Sequence, residues 1–215
     1  MKTSIIAAVA ALIGSFAGAF FKEQIADWFS SSKKKKGIRS DLIKNVVQYF
    51  GYAKELISVN NANEYHITLL RKMQDYIKTA KEPEKSEIQK ERDEVKVLTD
   101  KLSEVGSKIY PKVLECESNI VAITMEAEHY FQKHQYVQLR KTVKDIRHYT
   151  TSLEGKILKE YKDLPYNKIT LYKLGQYEKS MISVYDDIEK QSMYYEDYIN
   201  EILHIELFWK RKWFK

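Results

Sequence analysis

A chain of 215 residues with 44% hydrophobic and 31% charged side chains can build one sizeable folded domain and is too apolar to be disordered. Only 7 glycines and 3 prolines punctuate it, which favours long helices over a many-turned sheet, and the lone Cys116 excludes an intrachain disulfide. The net charge of +6 sits at two places, residues 33–39 and 210–215, leaving a slightly acidic body. That layout is a poor nucleic-acid platform and a better match to an anionic membrane surface.

The first element is the uncharged run Ser4–Phe21, SIIAAVAALIGSFAGAFF. As a helix it spans about 27 Å, close to the thickness of a bilayer core. Trp28 follows where an interfacial belt residue belongs. The run reads either as a signal peptide cut near Ala19, giving a secreted or periplasmic helical protein, or as a retained single transmembrane helix. Charge asymmetry favours the second. Lys2 is the one charged side chain before the run, whereas Lys33, Lys34, Lys35, Lys36 and Arg39 follow it, which places the N-terminus outside and the body in the cytoplasm of an inner-membrane protein. The expected organisation is a transmembrane anchor over 1–29, a basic juxtamembrane linker over 30–39, and a cytoplasmic helical bundle over 40–215.

Small residues form rows within the run. Ala10, Gly14 and Gly18 are spaced by four, as are Ala7, Ala11 and Ser15. Such rows let helix backbones approach closely in lipid, so they predict helix packing and a homo-oligomer.

Next, Ser40-Asp41 can cap a helix with Ile43, Val46, Val47, Phe50 and Ile57 on one face. The cluster Asn60-Asn61-Ala62-Asn63 is expected to break it, and a second helix bearing Leu69, Leu70, Met73, Tyr76 and Ile77 to pack antiparallel against the first. Pro83, with Glu84 and Glu87, suits the start of a third helix. Its seam is expected at Ile88, Val95, Leu98, Leu102, Val105 and Ile109, a coiled-coil-like spacing. Gly106 and Pro111 are expected to end or kink it. Between Lys112 and Glu154 lies either one helix with a stutter or two helices meeting near His134. A last helix beginning at Pro165 and Asn167 carries Met181, Val184, Ile188, Tyr195, Ile202, Ile205 and Trp209. The fold class is therefore all-α: an N-terminal transmembrane helix and a multi-helix bundle with long, coiled-coil-like members.

Chemistry is sparse. Glu126-Ala-Glu-His129 and Glu201-Ile-Leu-His204 are two Glu-x-x-His pairs, the pattern of di-metal carboxylate bundles, but the apolar seams leave them on the flanks. A di-metal enzyme is the weaker alternative, and no metal or cofactor is expected. No phosphate-binding, zinc-protease or hydrolase motif occurs. Cys116 falls on the seam as a structural thiol, and no catalytic residue is assigned. The chain ends in FWKRKWFK, where Trp209, Lys210, Arg211, Lys212 and Trp213 interleave aromatics with bases, as suits a headgroup zone. The membrane-surface set is thus these five with Trp28 and Lys33–Lys36. Expected partners are the lipid bilayer, further copies of the chain and an unidentified protein, but not nucleic acid. The expected role is binding and assembly, as a sensor, scaffold or membrane-perturbing effector, the last by analogy with phage defence.

Overall fold

The computed structural model describes the backbone of residues 2–153, 166 and 171–204, and their side chains except at 2–21, 23, 25, 153, 171–178, 180 and 181. Four helices carry the described structure: α1, Lys2–Ile77; α2, Glu84–Ala127; α3, Lys133–Leu153; and α4, Leu171–Ile202. No strand occurs among the described residues. The all-α, bundle-forming expectation holds.

The turn over 78–83 reverses the chain, so α2 runs antiparallel along α1. Gly106 lies against Val59, and the Asn63 amide donates to Ser103 Oγ at 3.2 Å. α4 is also antiparallel to α1, with Lys54 Nζ 2.6 Å from Glu189 Oε1 and Tyr185 hydrogen-bonded to Ser58. The core joins Leu42, Val46, Phe50 and Ile57 of α1 to Ile109, Val113 and Ile120 of α2, Leu139 and Ile146 of α3, and Ile188 and Ile199 of α4. Each such side chain contributes roughly 1.5–3 kcal/mol by leaving water. A smaller cluster of Met73, Ile88 and Val95 closes the far end of the α1–α2 pair, and Tyr166 packs on it while donating to Glu91 at 2.8 Å.

Three sequence expectations are corrected. First, α1 neither starts at Ser40-Asp41 nor breaks at Asn60–Asn63 but runs from Lys2 to Ile77, 76 residues in all, so the expected antiparallel pair within 41–80 does not exist. An asparagine costs a helix at most about 0.7 kcal/mol, less than the burial of one aliphatic side chain. Leu56, Ile57, Asn61 and Tyr65 are all buried here, so packing against α2 and the core decides the conformation. Second, α2 passes through both Gly106 and Pro111. Pro111 is on the exposed face, where the carbonyl it leaves without a partner can meet solvent. Gly106 faces α1, and its lack of a side chain suits the approach of Val59.

Third, the α2 seam is displaced. Leu98 and Val105 are exposed, and Thr99 is buried in their place. The observed line Ile88, Val95, Thr99, Leu102, Gly106, Ile109, Val113, Cys116, Ile120 keeps heptad spacing but admits a threonine and a glycine. Thr99 can be buried because its hydroxyl donates to Val95 O at 2.8 Å, and Thr124 does the same to Ile120 O at 2.7 Å.

Between Lys112 and Glu154 the two-helix alternative is the one observed: α2 ends at Ala127 and α3 begins at Lys133. Leu139, Ile146 and Thr150 line the buried face of α3. Pro165, Asn167, Ile205 and Trp209 lie outside the described residues, as do the side chains of Leu153 and Met181.

Candidate membrane interface

The basic run of α1 stands where the helix enters the bundle, with Gly37 alone between Lys36 and the first core side chain, Ile38. α1 is continuous through residues 30–39, so the four lysines point to different sides of one helix. Two of them touch the bundle. Lys34 Nζ lies 2.7 Å from Glu126 Oε1 in the last turn of α2. That hydrogen bond and the carboxylate charge hold the ammonium above its ordinary pKa. Lys35 Nζ sits 5.8 Å from the ring centroid of Phe131, which is buried in the turn between α2 and α3. Lys33 and Lys36 are exposed. Nearer the N-terminus, Trp28 is half-buried and meets the exposed Phe29 ring edge-on at 5.0 Å.

The end of α4 lies at this same end of the bundle. Gln135, in the first turn of α3, donates from Nε2 to Ile202 O at 2.8 Å, satisfying a carbonyl that the helix terminus would otherwise leave open. Leu203 is fully buried and His204 exposed. The basic aromatic tail therefore follows a chain position beside the α2–α3 turn that also receives Lys34 and Lys35. Trp209, Lys210, Arg211, Lys212 and Trp213 themselves lie outside the described residues. So do the side chains of Ala7, Ala10, Ala11, Gly14, Ser15 and Gly18, which belong to the N-terminal part of α1. Among residues with described side chains, no helix is long and apolar enough to cross a membrane, and the Ser4–Phe21 run is outside that set.

The Glu-x-x-His pairs do not converge on a metal. Glu126 is engaged by Lys34, while His129, Glu201 and His204 are exposed. Among the described residues no group of three or more His, Cys, Asp or Glu could hold a metal ion. Cys116 is buried in the core, and desolvation pushes its thiol pKa up, which suppresses the nucleophilic thiolate.

Sequence reasoning missed two features. One is a polar contact in the core: the Tyr49 hydroxyl lies 2.7 Å from Thr150 Oγ1 and 3.4 Å from Glu117 Oε1. The other is a groove of about 670 Å³ over α1, walled by α2 and α4 and lined by Val47, Gly51, Lys54, Val105, Tyr185 and Glu189, among others. The signal for the groove was the choice between Leu98 and Thr99 as seam residue, since Val105 belongs with Leu98. No protein-family model matches the chain, and no curated protein or solved structure matches it either.

Proposed function

We propose that the chain is a membrane-anchored, self-associating helical-bundle protein that acts by binding and assembly rather than catalysis. The observation that carries this reading is the continuity of α1. One helix holds the uncharged Ser4–Phe21, then the lysines, then the bundle core, with no break between them. At 1.5 Å per residue it is about 114 Å long, far more than a bundle of this size needs. A helix that leaves its bundle, carries a basic collar and goes on into an uncharged stretch suits an anchor with the collar on the cytoplasmic side of the inner membrane. The basic aromatic tail, which follows α4 at the collar end, adds a second attachment to anionic headgroups. A sensor, scaffold or membrane-perturbing effector would use such a rod to couple the bilayer to the bundle. Its partners are the bilayer, further copies of the chain, and a protein that brings the signal.

The test uses the full chain. It should stay with membranes through a carbonate wash, keep its N-terminal run, and give cytoplasmic behaviour to a reporter fused after Lys215. A mature chain beginning at Phe20, or a reporter active outside the cytoplasm, overturns the anchor.

A further inference from the structure

Among the described residues, two exposed apolar surfaces lie on nearly opposite flanks of α2. The first is the groove, where Val47 of α1 and Val105 of α2 are exposed. Its floor includes Gly51, where an added Cβ would meet nothing within 4 Å. The second is a stripe of Tyr110, Leu114, Val121 and Met125, between 44% and 62% exposed. Their spacing of 4, 7 and 4 is that of a helix seam seeking a partner, and they span about 22 Å.

From these surfaces we infer that a second copy of this chain docks its α2 stripe into the groove of the first, head to tail. Three observations select that occupant.

The first is height. In the antiparallel α1–α2 pair, Val59 lies beside Gly106 and Asn63 near Ser103, so Gly51 stands level with Leu114. Copies anchored side by side in one bilayer have their bundles at equal heights, which brings Leu114 of one copy level with Gly51 of its neighbour. This point rests on the anchored reading of α1.

The second is charge. α3, beside the stripe, carries Lys133, Arg140, Lys141, Lys144 and Arg147 against Asp145. α4, beside the groove, carries seven carboxylates against three lysines. Docking stripe into groove sets the basic helix of one copy against the acidic helix of the next. Docking groove on groove would oppose two acidic helices.

The third is geometry. Val105, on the groove wall, falls about 170° around α2 from the middle of the stripe, counting 100° per residue. A donor and an acceptor on opposite flanks make a heterologous contact, which propagates into a ring or a row rather than stopping at a dimer. The interface therefore orders the cytoplasmic parts of an array, independently of the small-residue rows in the N-terminal run.

The experiment co-expresses two full-length, differently tagged chains in a Cys116→Ser background, one with Gly51→Cys and one with Leu114→Cys. Membranes are treated with a short bis-maleimide. The expected product carries both tags, and neither variant alone should cross-link. A third chain, Leu114→Cys with Glu189→Lys, gains a cation on the acidic wall; paired with Gly51→Cys it controls for loss of folding, since its Leu114 stripe still docks into an unaltered groove. A Leu114→Glu chain should lose at least tenfold of its self-association in nanodiscs while keeping its helicity, because that side chain is already partly exposed. Absence of the mixed product, or an equal yield from Leu114→Cys alone, overturns the head-to-tail contact. A mixed product from protein that carbonate extracts would support the contact and overturn the anchor instead.

Discussion

Tyr49 and Thr150, 101 positions apart, bring their hydroxyls within 2.7 Å in the buried seam between α1 and α3. Thr150 is itself turned back onto its helix, donating to Arg147 O at 3.0 Å, which leaves its oxygen available to accept from the phenol. Burial is the main reason that the Tyr49 phenol is pushed up to about 12. A folded-state value above the unfolded value of about 10 means that the neutral phenol's contribution is complete below pH 10 and lost as pH rises toward 12. Alkaline unfolding should therefore steepen over that window, and Tyr49→Phe should flatten it. An unchanged alkaline limb in that variant would assign the effect to the other tyrosines, of which Tyr166 is also raised to about 12.

Position within the α2 seam sets the cost of truncation. Ile109, buried in that seam, should lose about 2–5 kcal/mol on replacement by Ala. Leu98→Ala should change stability by no more than about 0.5 kcal/mol, since that side chain is outside the seam. Urea denaturation of both variants checks the displaced register directly, and a large loss for Leu98→Ala would restore the heptad expected from sequence.

The glycines of α1 and α2 should respond in opposite directions. An added Cβ at Gly37 meets nothing within 4 Å, so Gly37→Ala is expected to stabilise α1 by about 1 kcal/mol through helix propensity. At Gly106 a Cβ would already lie 3.3 Å from Val59 Cγ1. Gly106→Leu should force α1 and α2 apart and cost about 1–3 kcal/mol. Thermal unfolding followed by circular dichroism distinguishes the two.

Burial of His66 lowers its pKa, and its Nδ1 is enclosed without a hydrogen-bond partner. The unfolded chain therefore binds a proton more readily than the folded one once pH falls below about 6.5. Stability should decline as pH drops through that value, and His66→Phe should reduce the slope. The same slope in wild type and variant would exclude His66 as its source.

At the collar, the seating of Phe131 should matter more than the nearby ion pair. Phe131→Ala removes a buried ring and should cost about 3–5 kcal/mol. Glu126→Ala, which releases the half-exposed Lys34, should leave Tm nearly unchanged.

Much of the architecture was legible in the sequence because the Gly- and Pro-poor helices declare themselves by apolar spacing. The burial of Cys116 and the acidic first turn of α2 follow from such local rules, whereas the break near His134 was one of two alternatives that spacing left open. What failed were decisions that a neighbouring helix makes. Asn61 stays helical because another helix covers it, and Thr99 displaces Leu98 because a backbone carbonyl satisfies its hydroxyl. The lysines of the collar could be read, but not that Glu126 and Phe131, more than 90 positions away, would meet two of them.

An unbroken α1 also fixes a phase. Each residue advances the helix by about 100°, so the azimuth of the N-terminal run relative to the bundle is set by how many residues separate them. One alanine inserted after Lys36 would swing every side chain on the N-terminal side by that angle, while seven would restore it to within about 20°. Twisting at one end of such a shaft arrives at the other as rotation, so a signal could travel along it as torque without any change in length.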